Sequence, residues 1–131
     1  MRLAVDTNVL VRAVVGDDPR QSRVAAKALG EAELIAVAVP CLCEFVWVLR
    51  KVYGFAVADI AAAIRALMAA SNVQANRPAV EAGLAVLEAG GDFADGAIAY
   101  EGRWLGGETF ISFDKKAVLL LSAHGQDARL L

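Results

Sequence analysis

Short strand-like runs alternate with helix-forming segments along the whole chain, and this alternation limits the possible folds more than any other feature. Four or five runs are predicted strands, at residues 2–5, 34–39, 73–75, 109–113 and 128–131. The predicted helices cover residues 19–29, 40–53, 59–70, 76–89, 92–104 and 115–122. Strands that alternate with helices form a parallel sheet that is covered on both faces. We therefore expect an α/β fold with a parallel sheet and buried strands.

Length and composition favour one cytoplasmic domain that hides apolar surface against a partner. The chain has 131 residues, and 58% of them are hydrophobic. The longest uncharged stretch around the second strand, residues 34–43, is too short to cross a bilayer, and Asp6 interrupts any signal-peptide pattern. The two cysteines are too few for a disulfide framework. The apolar excess predicts self-association or a partner surface, while the net charge of −2 gives no global sign of nucleic-acid binding.

Four acidic residues end or interrupt apolar segments, and they are the main candidates for chemistry: Asp6, Glu44, Asp95 and Asp114. Two of them, Asp6 and Asp114, follow predicted strands, and in parallel α/β sheets the ligand site lies outside the carboxyl ends of the strands. Clustered carboxylates raise each other's pKa, and a divalent cation removes that penalty. Hard oxygen ligands favour Mg²⁺ or Mn²⁺. The pattern therefore predicts a metal site.

Each acid also has a structural interpretation. Asp6 and Asp114 are plausible N-caps by position, and Asp92 is better explained as the N-cap of the helix that contains Asp95. For Asp95 a first-turn acid and a site residue are equally compatible with the local pattern. Glu44 has Cys41, Trp47 and other apolar residues at helical spacing, which places it on a predicted apolar face and favours a functional role.

Polar and basic residues near these acids are secondary candidates. If residues 6–8 are extended, Asn8 projects to the same side as Asp6. Strand alternation likewise places Ser112 beside Asp114, although an ordinary strand residue is an equal alternative. Five cations are candidates for contacts to RNA phosphates, with a solvated surface charge as the default interpretation of each alone: Arg50, Lys51, Arg103, Lys115 and Lys116.

Four segments together resemble a known family. They are VDTNVL at residues 5–10, EFVWVL at 44–49, DFADGAIA at 92–99 and SFDKKA at 112–117. In this order and spacing they resemble a PIN domain, and more narrowly a VapC-type toxin ribonuclease of a toxin–antitoxin pair. The resemblance covers the whole chain, including residues 16–21. One departure is Gly96, where the family more often has alanine, and which would loosen the start of that helix.

The resemblance implies a single PIN-like domain at residues 1–131, with a three-layer α/β/α fold around a central parallel sheet of about four or five strands. It implies an Mg²⁺- or Mn²⁺-dependent endoribonuclease that leaves 5′-phosphate and 3′-hydroxyl ends. Its catalytic and metal-binding set falls on Asp6, Glu44, Asp95 and Asp114, supported by Asn8, Asp92 and Ser112. The implied partners are an RNA substrate, a cognate antitoxin and a second copy in a homodimer, with no membrane.

Three other classes compete with this interpretation. A PIN-like protein that binds RNA or a partner without cutting would share every motif. Haloacid-dehalogenase-like phosphatases need a second aspartate two residues after the first, where this chain has Asn8, and they give Glu44 no role. Phospho-acceptor receiver domains need a central strand-end aspartate, whereas Asp59 lies at a predicted helix start.

Overall fold

Two compact units make up the chain, Met1–Asn76 and Arg77–Leu131, and a computed structural model describes all residues 1–131. Each unit contains parallel strands and helices, which confirms the predicted α/β class. The five strands form two parallel sheets, of three and two strands, where a single central sheet was expected. Strand pairing is decided by tertiary contacts, which strand-like composition does not encode.

The first unit is built on a three-stranded parallel sheet. Its elements in chain order are β1 (Arg2–Ala4), α1 (Thr7–Val14), α2 (Pro19–Glu31), β2 (Leu34–Val37), α3 (Val39–Trp47), a π-helical segment (Val48–Val52), α4 (Val57–Ala69) and β3 (Val73–Ala75). The strand order is β1-β2-β3, and Ile35 of β2 is in register with Leu3 and with Val73. Leu42, Phe45 and other fully buried side chains of α3 and α4 supply its core.

Two predictions for the start of the chain are wrong. β1 is not fully buried, since Arg2 and Ala4 are exposed, and it forms an edge of its sheet. Residues 7–14, for which no helix is predicted, form α1. Their valines favour extended structure locally. The cap at Asp6 and the burial of Leu10 and Val11 favour the helix instead.

The second unit holds two helices in close contact beside a two-stranded parallel sheet. Its elements are α5 (Arg77–Glu88), α6 (Phe93–Trp104), β4 (Phe110–Ser112), α7 (Lys115–Ala123) and β5 (Ala128–Leu130). Val86, Ala99 and Leu121 are buried together and hold its elements against one another. The strand faces are only partly covered, since Ile111 of β4 is 58% exposed and Leu130 of β5 is 48% exposed.

Glycines set the spacing between α5 and α6. A Cβ at Gly96 would collide with the carbonyl oxygen of Ala82, and a Cβ at Gly83 would lie 2.6 Å from the Phe93 ring. The absence of a side chain at Gly96 therefore permits this helix contact, where the sequence predicted only a looser helix start. None of the helices combines the length and apolar character that crossing a bilayer requires.

Candidate active site

A cavity of about 400 Å³ in the first unit contains three of the predicted site residues. Asp6, Asn8 and Glu44 line it. So do Thr7, Val11, Arg12, Val48 and Tyr53. The cavity therefore brings residues from α1 together with residues from α3 and from the π-helical segment that follows it.

Asp6 is positioned by the start of α1. It is the N-cap of that helix, and its Oδ1 accepts the backbone N–H of Thr7 at 2.7 Å. Asn8 is the second residue of α1. It thus reaches the cavity from a helix, and the extended geometry that was used to place it beside Asp6 is wrong.

Glu44 lies in the second turn of α3 and is exposed, so its predicted place on an apolar core face is wrong. Of its helical neighbours, Pro40 and Trp47 are exposed, whereas Cys41 is buried and Val48 is partly buried. Glu44 therefore lies at the boundary between the core and the solvent. The Thr7 hydroxyl lies 3.3 Å from Glu44 Oε2 and 3.7 Å from Cys41 Sγ. One hydroxyl proton serves one acceptor at a time, so Thr7 is shared between the carboxylate and the thiol.

The Cys41 thiol is unsuited to nucleophilic chemistry. Burial raises its pKa, and although the hydrogen bond from Thr7 acts in the opposite direction, the charges of Asp6 and Glu44 raise it further. A thiol with a raised pKa is protonated at neutral pH, and the thiolate is the reactive form. The chemistry of this cavity therefore falls to oxygen and guanidinium groups.

Arg12 is held by two partners at the same cavity. Its Nη1 donates to Asp17 Oδ1 at 2.7 Å, and Nη1 also lies 3.5 Å from the Tyr53 hydroxyl. The Tyr53 hydroxyl in turn donates to Asp17 Oδ2 at 3.0 Å. The bond to Asp17 raises the pKa of Arg12; at Asp17 desolvation acts to raise the pKa, but the bonds from Arg12 and Tyr53 lower it overall. An ion pair and a neutral phenol hydroxyl thus form one hydrogen-bonded cluster.

The second unit holds the other predicted acids. Asp92 is the N-cap of α6, as predicted, and its Oδ1 accepts the Ala94 N–H at 3.2 Å. Asp114 is the N-cap of α7 and accepts the N–H groups of Lys116 and Ala117 on Oδ1, at 3.0 and 3.1 Å. Ser112 Oγ accepts the Asp114 N–H at 2.9 Å, so the serine supports Asp114 through the turn after β4 and not through strand alternation.

Asp95 is the half-buried member of this second group. Partial burial raises its pKa, and the charges of Asp92 and Asp114 raise it further. The three carboxyls are thus electrostatically coupled within one unit. Such coupling is relieved by protonation or by a bound cation.

The predicted phosphate contacts are distributed over both units. Lys51 is exposed and Arg50 is partly exposed in the π-helical segment, and Lys115 and Lys116 open α7 directly after Asp114. Arg103 is exposed and donates to Gln126 Oε1 at 3.0 Å. Their contact with RNA stays a prediction.

A comparison with protein-family models matches residues 3–118 to the PIN domain. The chain belongs to the PIN domain family. PIN domains are generally metal-dependent nucleases, which supports a nuclease-type hydrolase here at that coarse level. No curated protein matches the chain significantly.

The donor chemistry of this PIN domain suits a hard divalent cation. All four predicted ligands are carboxylates, which Mg²⁺ and Mn²⁺ prefer. The capping bonds of Asp6 and Asp114 use Oδ1 only. Within neither unit, however, are three or more acidic, histidine or cysteine side chains grouped as metal ligands. A site formed by all four acids therefore stays a prediction.

Two polar residues of the cavity, Thr7 and Arg12, were not singled out from the sequence. Arg12 follows Asn8 by four residues, so recognising α1 as a helix would have placed them on one face. Thr7 carries no such signal, because its role depends on contact with Glu44, 37 residues away.

Proposed function

We propose that this PIN domain is an Mg²⁺- or Mn²⁺-dependent endoribonuclease and the toxin of a VapBC-type toxin–antitoxin pair. The observation that carries the proposal is the family match over residues 3–118, on a chain that has an acid in each of the four PIN-like motifs. The cavity that contains Asp6 and Glu44 supports it.

In this proposal Asp6, Glu44, Asp95 and Asp114 hold the cation. A divalent cation bound by carboxylates supplies a water of lowered pKa and neutralises charge on the phosphodiester. The chain contributes orientation: Thr7 donates to Glu44, and Ser112 fixes the turn that carries Asp114. Attack of a water molecule at phosphorus would form the new P–O bond of the 5′-phosphate and break the P–O3′ bond, and the leaving 3′ oxygen would take up a proton to become the 3′-hydroxyl.

The decisive experiment incubates the purified protein with total RNA in Mg²⁺, in Mn²⁺ or in excess EDTA, and maps the new ends by sequencing. We expect metal-dependent cuts with 5′-phosphate ends, abolished in Asp6→Asn. Full cleavage in EDTA, or undiminished cleavage by Asp6→Asn, would refute the mechanism. RNA binding without cutting in either metal would favour the non-cleaving alternative.

We also propose a homodimer and an antitoxin partner. Large apolar side chains are exposed in both units, including Trp47 at 59%, Trp104 at 75% and Phe113 at 83%, which supports a protein partner surface. An antitoxin helix that projects an arginine or lysine toward Asp6, Glu44 and Asp95 would replace the cation.

Expression of the chain alone should arrest growth, and co-expression of the neighbouring gene should relieve the arrest. Light scattering tests the homodimer separately. A strict monomer that binds no product of a flanking gene contradicts the partner proposal, while the nuclease assignment is judged by the cleavage experiment alone.

A further inference from the structure

One cation stands among the residues that line the acidic cavity. Arg12 shares that cavity with Asp6 and Glu44, and the remaining lining residues are uncharged. Without Arg12 the cavity would present two carboxylates to a polyanionic substrate, and like charges in contact are unfavourable. Although Arg12 is paired with Asp17, its guanidinium offers a phosphate charged N–H donors that the other lining side chains lack.

The Arg12 guanidinium is held in place through one of its three nitrogens. Its two contacts, to Asp17 Oδ1 and to the Tyr53 hydroxyl, both involve Nη1. A guanidinium has five N–H donors, so Nη2 and Nε lie outside these contacts. The Arg12 side chain is 31% exposed, so a ligand can reach part of it. A guanidinium fixed in this way binds phosphate with little further loss of side-chain entropy.

An aromatic ring lies beside the guanidinium. Tyr53 lines the cavity, and its hydroxyl is fixed by Asp17. Phe55 packs edge-to-face against it, with ring centroids 6.5 Å apart and an interplanar angle of 77°. Fixed aromatic rings next to a cation are the recurring elements of single-stranded RNA sites, where a base stacks and a phosphate pairs with the cation.

Arg12 and Asp6 are far enough apart to lie next to two different phosphates of one RNA chain. Arg12 follows Asp6 by six residues on α1. At the helical rise per residue this corresponds to about 9 Å along the axis. The ion pair also holds the guanidinium at Asp17, beyond the C-terminal end of α1. Arg12 is therefore suited to a phosphate that flanks the one held near the acids.

We infer that this cavity binds one unpaired nucleotide of an RNA chain, with Arg12 donating to its phosphate and Tyr53 contacting its base. The inference rests on the proposed nuclease function and adds to it two contact residues, Arg12 and Tyr53. A base inside a duplex is stacked on its neighbours and does not reach such a ring.

Binding without cleavage tests the subsite directly. The probe is a fluorescein-labelled, single-stranded RNA of eight nucleotides, titrated with protein in EDTA and followed by anisotropy. Arg12→Ala should weaken binding about tenfold and lower the slope of log affinity against log salt by about 0.7. Arg23→Ala, an exposed arginine of α2 outside the cavity, is the matched control and should change binding less than twofold. Equal effects of the two variants would overturn the inference.

The ring is tested with two variants at Tyr53. Tyr53→Leu should weaken binding of the single strand about fivefold or more, because it removes the stacking surface. Tyr53→Phe should retain more affinity than Tyr53→Leu. A duplex of the same sequence should bind no better to wild type than to Tyr53→Leu. Equal losses on single-stranded and duplex RNA would contradict stacking.

Asp17 is proposed as a residue that positions Arg12. Whether its replacement weakens or strengthens RNA binding tests that role. Loss of a negative charge by itself should strengthen binding of a polyanion. If Asp17 holds Arg12 in place, Asp17→Asn should instead weaken RNA binding about threefold. Asp59→Asn, an exposed acid of α4, is the matched control for charge alone. Tighter binding in both variants would refute the positioning role.

Kinetics separate failure of this inference from failure of the nuclease proposal. In Mg²⁺, Arg12→Ala should raise KM about tenfold and leave kcat within about threefold, since a flanking contact is made equally in the ground and transition states. Normal cleavage, KM and RNA affinity in Arg12→Ala would overturn the subsite alone. Arg12-dependent RNA binding with no cleavage by wild type would overturn the nuclease alone.

Two further outcomes for Arg12→Ala also bear on the inference. If circular dichroism shows that Arg12→Ala does not fold, Arg12→Lys takes its place, and it should bind RNA more weakly than wild type because an ammonium lacks the planar fork. If Arg12→Ala leaves RNA affinity unchanged but abolishes binding of the neighbouring gene product, the cavity is a protein-partner site and the inference fails.

Discussion

The two units of this chain place their acids in different surroundings. In the first, Asp6 and Glu44 line a cavity with a threonine hydroxyl and a guanidinium that is already paired. In the second, Asp95 lies within the field of two other carboxyls, and burial and their charges raise its pKa. The cavity of the first unit can accept a phosphate beside Asp6 and Glu44. In the second unit, only a proton or a bound cation relieves the repulsion between the carboxyls. This contrast shows that acids in similar sequence settings acquire different chemistry from their neighbours.

The units also differ in how closely their helices approach. In the second unit, Gly83 and Gly96 occupy a contact between α5 and α6 where a Cβ would meet other atoms. In the first unit, a Cβ at Gly16 or Gly30 would meet nothing within 4 Å. Close backbone packing therefore constrains the sequence of the second unit at positions where the first is tolerant.

Removing single acids should give the largest effects and should test whether both units serve one reaction. We expect Glu44→Gln and Asp95→Asn each to lower kcat/KM for RNA cleavage by at least about 100-fold, in line with the loss of a group that stabilises the transition state. Asp92→Asn should cost less than about tenfold, because Asp92 caps α6 and asparagine is an equally good cap. An Asp95→Asn protein with normal activity would remove Asp95 from the catalytic set.

Adding one methyl group should have opposite effects on stability at a glycine packed between two helices and at a glycine with open space around it. Gly96→Ala should lower the free energy of unfolding by about 1–3 kcal/mol, because a Cβ there meets the backbone of α5. Gly102→Ala, on the same helix with open space around it, should be stabilising by about 0.5–1 kcal/mol. Urea denaturation measures both. A Gly96→Ala protein that is as stable as wild type or more stable would show that the approach of α5 and α6 is not limiting.

The shared hydroxyl of the first unit can be removed with little change in shape. Thr7→Val should lower kcat/KM about fivefold, because the hydrogen bond that holds Glu44 is worth about 1 kcal/mol. Thr7→Ser keeps the hydroxyl and should stay within about twofold of wild type. If valine and serine are equally active, Thr7 has no part in holding Glu44.

The smallest effect should be a pH-dependent change in stability at Asp95. Because the pKa of this carboxyl is raised by folding, its contribution to stability is present below its unfolded pKa of about 3.9 and is lost as pH rises through the folded value. Asp95→Asn should therefore unfold at a higher temperature than wild type at pH 7, with the difference vanishing near pH 3.5. Thermal melts in EDTA measure it. A gain that persists unchanged at low pH would point to a cause other than charge.

Features that depend on neighbouring residues were predictable. Asp92 as the N-cap of α6 and the strand at residues 73–75 are observed as predicted, because caps and short strands leave signals within a few residues. Helix α1 was not predictable in the same way, since its valines favour a strand and the burial of Leu10 and Val11 decides the outcome. The exposure of Glu44 was not predicted either, because the sequence of α3 does not reveal which side of the helix faces the core.

By itself the sequence determined the α/β class, the order of its elements apart from α1, and the match to the PIN family. Those properties follow from local periodicity and from residue identity. The tertiary structure alone decided that five strands form two sheets, that Gly96 admits a neighbouring helix, and that Arg12 meets Tyr53 across 41 residues. Such contacts join residues far apart in the chain, so the free energy that selects them depends on packing and charge in the folded molecule and not on any single segment.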